Sequence, residues 1–184
     1  MNEIKYIAIV DDHAMFRKGL SALINMFANY KVLFDAASGK GFMSKVKRPH
    51  VPDIVLLDIT MPDMDGYATA EWIRVNYPEI KILALSTMDS ENAIIKMIKH
   101  GAKGYILKDS EPAELKLAFD EVISKGYFYN ELVTRKVLGS INELIDFKSG
   151  VNTFVKLTDR EIEFIKHACS ELTYQQIAKR NVFK

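Results

Sequence analysis

The chain has 184 residues, 48% hydrophobic and 27% charged, a balance that excludes a disordered polymer and a membrane-embedded bundle. Lysine and arginine number 25 against 24 acidic residues, so net charge neither demands nor excludes nucleic acid as a partner. Cys169 is the single cysteine, which rules out an intramolecular disulfide, and no apolar run reaches the length of a membrane span.

Five β-type runs, at residues 4–10, 31–36, 53–57, 81–86 and 104–107, are each succeeded by a stretch of helical spacing, at residues 13–27, 39–47, 65–76, 90–100 and 111–125. Regular alternation of this kind predicts parallel βαβ units. The third and fourth runs, Ile54-Val55-Leu56-Leu57 and Ile82-Leu83-Ala84-Leu85, are continuously apolar, as strands covered by helices on both faces must be. The expected fold class is therefore α/β, a doubly wound (βα)5 parallel sheet of flavodoxin-like order 2-1-3-4-5. The apolar stretch at residues 7–10 is too short for a signal-peptide core and stops at an acidic pair, so a cytoplasmic protein is expected.

Past Gly126 the pattern turns helical. A connecting helix is predicted over residues 131–145, then a break at Lys148-Ser149-Gly150. Two capping boxes come next, Thr158-x-x-Glu161 and Thr173-x-x-Gln176, and each predicts a short helix start. The expected division is a domain over residues 1–125, a helical linker over 126–150 and a partial all-α segment over 151–184.

Ligands of a parallel α/β sheet bind beyond the carboxyl ends of its strands. Asp11 and Asp12 lie just past the first strand and Asp58 at the end of the third, neighbours in the predicted order, so three carboxylates should cluster. Like charges at one site are unfavourable without a cation, and carboxylate oxygens suit Mg²⁺. Such an ion would sit on Asp12, Asp58 and the backbone carbonyl of Thr60, with Asp11 acting through water. Ser86 and Lys108, at the ends of the fourth and fifth strands, offer a hydroxyl and an ammonium to phosphoryl oxygens. Charge neutralisation and positioning are most of what phosphoryl transfer requires, and Asp58 is then the candidate nucleophile.

The pair Asp11-Asp12, the stretch Asp58-Ile59-Thr60-Met61-Pro62-Asp63-Met64-Asp65-Gly66, then Leu85-Ser86 and Gly101-Ala102-Lys103-Gly104-Tyr105-Ile106-Leu107-Lys108 resemble the CheY-like receiver domain of two-component response regulators. The segment KGYILKDSEPAEL at residues 103–115, with Leu157-Thr158-Asp159-Arg160-Glu161 and Ile177-Ala178, is similar to the NarL/FixJ subfamily, which carries a LuxR-type helix-turn-helix. The resemblance implies that a histidine kinase phosphorylates Asp58 in the presence of Mg²⁺ and that Lys108 pairs with the phosphate. It also implies that Ser86 and Tyr105 rearrange as a switch and that Thr60, Thr87 and Met88 line the entrance. Met61-Pro62 and Gly66 are expected to be structural. The protein would be a regulatory phosphoacceptor, catalysing only its own phosphorylation and dephosphorylation, with DNA as partner of the intact protein and a phosphorylation-dependent homodimer as its active form.

The sequence stops at Lys184, about where the scaffold helix of such an output domain gives way to the recognition helix, so weak or no DNA binding is expected of the 184 residues themselves. The alternative is a stand-alone receiver module acting through protein contacts. A haloacid-dehalogenase-type hydrolase would need an Asp where Thr60 stands, and a flavin carrier would need a phosphate cradle where Asp11 and Asp12 stand. His13, His50, His100 and His167 have no metal-ligand spacing, and Cys169 is expected to pack as a small apolar residue.

Overall fold

A computed structural model of the chain describes residues 3–87, 90–131 and 133–135. Five strands alternate with five helices: β1 (Lys5–Val10), α1 (Ala14–Asn25), β2 (Tyr30–Ala36), α2 (Gly39–Lys45), β3 (Ile54–Asp58), α3 (Gly66–Asn76), β4 (Lys81–Ser86), α4 (Glu91–Lys99), β5 (Ala102–Leu107) and α5 (Pro112–Lys125). The strands form one parallel sheet in the order β2-β1-β3-β4-β5, as expected.

Side chains alternate across a strand, so each central strand feeds two cores. Ile7, Ile9, Ile54, Leu56, Leu83, Leu85 and Ile106 pack with Leu20 and Ile24 of α1 and with Leu115, Ala118, Phe119 and Val122 of α5. Their alternates Ala8, Val10, Val55, Leu57, Ile82 and Ala84 are equally buried. Every residue of β3 is buried, which explains its unbroken apolar run. Phe42 of α2 meets Trp72 of α3 edge-on, with ring centroids 6.4 Å apart.

Element ends differ from the sequence expectation in a few places. β5 begins at Ala102 rather than at residue 104, because Ile82 pairs with Ala102 and Leu83 with Gly104, leaving Lys103 as an extra residue in the ladder. α2 stops at Lys45 because Val46 is extended, and β2 starts at Tyr30, which pairs with Lys5. Gly126, in the left-handed region at φ 90°, closes α5 as a C-terminal glycine should.

The chain does not leave the sheet there. The Phe128 amide donates to the Lys103 carbonyl at 2.7 Å, and Phe128 and Val133 are 3% and 1% exposed. The compact unit that contains the sheet accordingly runs to Val133, and a second unit starts at Thr134. Residues 131 and 133–135 are helical, where the connecting helix was expected, and Asn130 Oδ1 accepts from the Val133 amide at 3.0 Å. The rest of that helix, the helix-turn-helix segment, Met88, His167 and Cys169 lie outside the described residues.

Candidate functional site

The carboxyl ends of β1 and β3 lie side by side, with Val10 paired to Leu57. Asp11 comes directly after β1 and Asp58 is the last residue of β3, and both are buried. Lys108 reaches across from the end of β5, its side chain 12% exposed, with Nζ 2.7 Å from Asp11 Oδ2 and 2.8 Å from Asp58 Oδ2. The contact to Asp58 is an aligned hydrogen bond. Asp11 Oδ2, sealed from solvent, has no aligned donor among the described residues despite the proximity of the ammonium.

This packing sets the electrostatics. Burial pushes the Asp58 carboxyl above the usual aspartate range; Lys108 opposes the rise and Asp11 adds to it. Burial works against the Lys108 charge, but its contacts with Asp11 and then Asp58 outweigh that and its pKa is raised. Lys108 therefore stays an ammonium between two carboxylates.

Local geometry holds Asp58 in place. The Gly66 amide donates to the Ile59 carbonyl at 2.8 Å, and a Cβ at Gly66 would come 2.3 Å from the Asp58 carbonyl oxygen, so only glycine allows this approach. Asp65 caps α3 by accepting from the Ala68 amide at 2.8 Å. The Thr60 amide lies 3.3 Å from Asp58 Oδ1.

Asp11, Asp12, His13 and Asp58 each present a ligand atom within 4.8 Å of the others, a group able to hold a metal ion. The carboxylate-rich donor set, gathered at the rim of the sheet, fits a hard divalent cation. Three carboxylates against one ammonium leave an excess of two negative charges for it. His13, which has no metal-ligand spacing in the sequence, is the N-cap of α1; its amide donates to Asp11 Oδ1 at 2.7 Å and Nδ1 lies 2.8 Å from Asp12 Oδ1.

Ser86 closes β4 and is buried, and its carbonyl accepts from the Lys108 amide at 2.9 Å. Tyr105 is 0% exposed and pairs with Ala84 in the sheet. Thr60 and Thr87 are exposed near the ends of β3 and β4. His100 is engaged elsewhere, with Nδ1 2.7 Å from the Lys96 carbonyl.

Arg17 was not picked out from the sequence. Its Nη1 donates to the Asp11 carbonyl and its Nε to Asp35 Oδ2, both at 2.7 Å. The only sequence signal was a basic residue one helical turn beyond the acidic pair, and its partner Asp35 lies on another strand.

Residues 7–120 match the response regulator receiver domain. The chain is 36% identical over 163 residues to the oxygen regulatory protein NreC of Staphylococcus epidermidis, covering 86% of this chain and 74% of that one. It is 31% identical over 147 residues to the transcriptional regulatory protein DegU of Brevibacillus brevis, spanning 79% of this chain and 62% of DegU. A LuxR-family two-component response regulator from Aurantimonas sp. SI85-9A1 superposes with a TM-score of 0.69 at 28% identity, over 76% of this chain and 99% of that structure. The chain therefore belongs to the two-component response regulators, in the branch whose named members include transcriptional regulators. These relatives do not favour a stand-alone receiver module. No described helix is long and apolar enough to cross a membrane.

Proposed function

We propose that Asp58 is the phosphoacceptor of a cytoplasmic transcriptional response regulator. The observation that carries this is the lysine bridge: Lys108 Nζ lies within 2.8 Å of a carboxylate oxygen on both Asp11 and Asp58 at the mouth of the sheet.

A carboxylate oxygen of Asp58 attacks the phosphorus of a phosphohistidine on a sensor kinase. The P–N bond breaks, an acyl phosphate forms on Asp58, and the histidine nitrogen departs with the bonding pair. Lys108 donates to a phosphoryl oxygen as charge builds there, and the Thr60 amide holds the attacking carboxylate in orientation. Asp11, Asp12, Asp58 and the Thr60 carbonyl would hold a Mg²⁺ ion, which would supply neutralisation of charge on the transferring group.

Buried Ser86 and Tyr105 are the elements biased by the new phosphate, Ser86 by turning its hydroxyl to a phosphoryl oxygen and Tyr105 by moving with it. The readout is control of transcription through DNA binding, with a phosphorylation-dependent homodimer as the active form; the name of one relative, the transcriptional regulatory protein DegU, supports the transcriptional part of this reading.

Incubation with acetyl phosphate and Mg²⁺, then intact-mass measurement, tests the central claim. Wild type should gain one phosphoryl group and Asp58→Asn none; equal labelling of the two would overturn it.

A further inference from the structure

The Arg17 guanidinium sits in the wall of the acidic turn, and its side chain is 14% exposed. It makes two directed bonds of 2.7 Å, to the Asp11 carbonyl oxygen and to the Asp35 carboxylate. Asp35 lies in β2, paired with Ile9 of β1, and its own carbonyl accepts from Lys45. The arginine therefore ties the exit of β1 to the neighbouring strand.

The bond to the Asp11 carbonyl matters because that carbonyl belongs to the peptide joining Asp11 and Asp12. The plane of a peptide is rigid, so fixing its oxygen sets ψ of Asp11 and φ of Asp12, and with them the directions of both carboxylates. The same residue is held at its amide, which donates to the Ala36 carbonyl at 3.1 Å, and at Oδ1, which accepts from the His13 amide at 2.7 Å. Without the guanidinium the peptide plane loses the bond that opposes its rotation. Asp35 has a second effect: as a partner it balances the arginine charge, which would otherwise repel a cation at the adjacent acids.

We propose that Arg17 is a positioning residue for the metal site, presetting the Asp11–Asp12 peptide so that both acids face one divalent cation. The inference rests on the assignment of that cation to Asp11 and Asp12. The bonds of Arg17 go to the Asp11 carbonyl and to Asp35, and it acts through Mg²⁺ affinity alone.

The test uses the full chain and titrates Mg²⁺ calorimetrically into wild type, Arg17→Met, Arg17→Lys and Asp35→Asn. Residues that orient ligands typically change metal affinity about 10–100-fold. Arg17→Met should raise the Mg²⁺ Kd by roughly that factor. Arg17→Lys, with the charge but no two-pronged fork, should recover only part of the affinity, and Asp35→Asn should weaken binding while leaving the bond to the Asp11 carbonyl. Labelling of Asp58 by acetyl phosphate should be slow in Arg17→Met at limiting Mg²⁺ and return to the wild-type rate at saturating Mg²⁺.

A variant that is folded by circular dichroism yet binds Mg²⁺ as wild type does would overturn the proposal, as would a labelling defect that saturating Mg²⁺ leaves in place. Should Arg17→Met fail to fold, unchanged Mg²⁺ affinity in both Arg17→Lys and Asp35→Asn would also overturn it. The metal assignment fails differently, by wild type not binding Mg²⁺, and the phosphoacceptor assignment fails by Asp58→Asn still labelling.

Discussion

Lys108 stands between two buried carboxylates, and the consequence of removing it can be worked out with its sign. Taking one partner from a buried ion pair costs about 3–5 kcal/mol because the remaining charge is left uncompensated. Lys108→Met should therefore destabilise the metal-free chain by about 3 kcal/mol at neutral pH. Asp58 already has a pKa raised by burial, and loss of the ammonium pushes it further in that direction. A carboxyl raised in the folded state contributes its stability fully below its unfolded pKa of about 4 and loses it as pH rises through the folded value. The deficit of Lys108→Met should thus grow as pH rises above about 4 in urea unfolding. Mg²⁺ should raise the thermal midpoint of this variant more than that of wild type, and an equal response would place the cation away from these acids. Gly66→Ala acts on the backbone, since its Cβ would lie 2.3 Å from the Asp58 carbonyl oxygen. We expect a cost of about 1–3 kcal/mol, the range for a forced backbone shift, together with slower labelling of Asp58. A stability within about 0.5 kcal/mol of wild type, the range of an ordinary surface change, would show that the β3–α3 turn has room to yield.

At the scale of elements, β2 is joined to α5 through Tyr30. Its hydroxyl donates to Asp120 Oδ1 at 2.7 Å and its ring lies 5.1 Å from that of Phe119. Burial, and after it the bond to Asp120, lifts the phenol well above its ordinary value of about 10. A raised folded pKa means that the contribution is complete below the unfolded value and lost as pH climbs past it. Tyr30→Phe should cost about 1–2 kcal/mol at pH 7, for a hydrogen bond to a charged acceptor. The gap between wild type and variant should close above about pH 10, as unfolded tyrosine ionises and the folded residue cannot. Parallel stability curves from pH 8 to pH 11 would show that the phenol is not held in its neutral form. None of this is legible in the sequence, because Tyr30 falls just outside the β-type run that begins at residue 31 and its partner lies 90 residues away. The strands themselves are legible, since in β3 and β4 burial on both faces leaves no choice but a continuous apolar run. The acids are legible for a related reason: a charged residue placed where such a run ends has the open rim of the sheet as its natural position. Arg17 is not, because what makes it informative is a backbone carbonyl, which carries no sequence signature.

The extent of the receiver unit is a matter for the whole molecule. The alternation of strand and helix patterns ends at Gly126, and a boundary drawn there assigns the residues beyond it to a helical linker. Packing disagrees: Phe128 bridges to Gly104 at the β5 edge, and Asn130 Nδ2 donates to Glu114 Oε1 of α5 at 2.7 Å. Gly104 makes this docking feasible, as a Cβ there would lie 2.8 Å from the Phe128 carbonyl oxygen and 2.7 Å from Leu83. The same strand carries Tyr105 and leads to Lys108, so the segment after α5 rests on the element through which a phosphorylation signal is proposed to pass. Burying a large apolar side chain contributes about 1.5–3 kcal/mol, and both Phe128 and Val133 lie at or below 3% exposure. A fragment of residues 1–125 should therefore be less stable than one of residues 1–135 by about 3–5 kcal/mol, before any loss from an exposed β5 edge. Phe128→Ala in the longer fragment should account for about 3 kcal/mol of that difference, the ordinary cost of emptying a buried phenylalanine site. Equal urea midpoints for the two fragments would return the boundary to Lys125 and reduce the Phe128 contact to a passive one. If the midpoints differ as expected, hydrogen exchange at the Phe128 amide should report the state of β5 directly, because its acceptor is the Lys103 carbonyl.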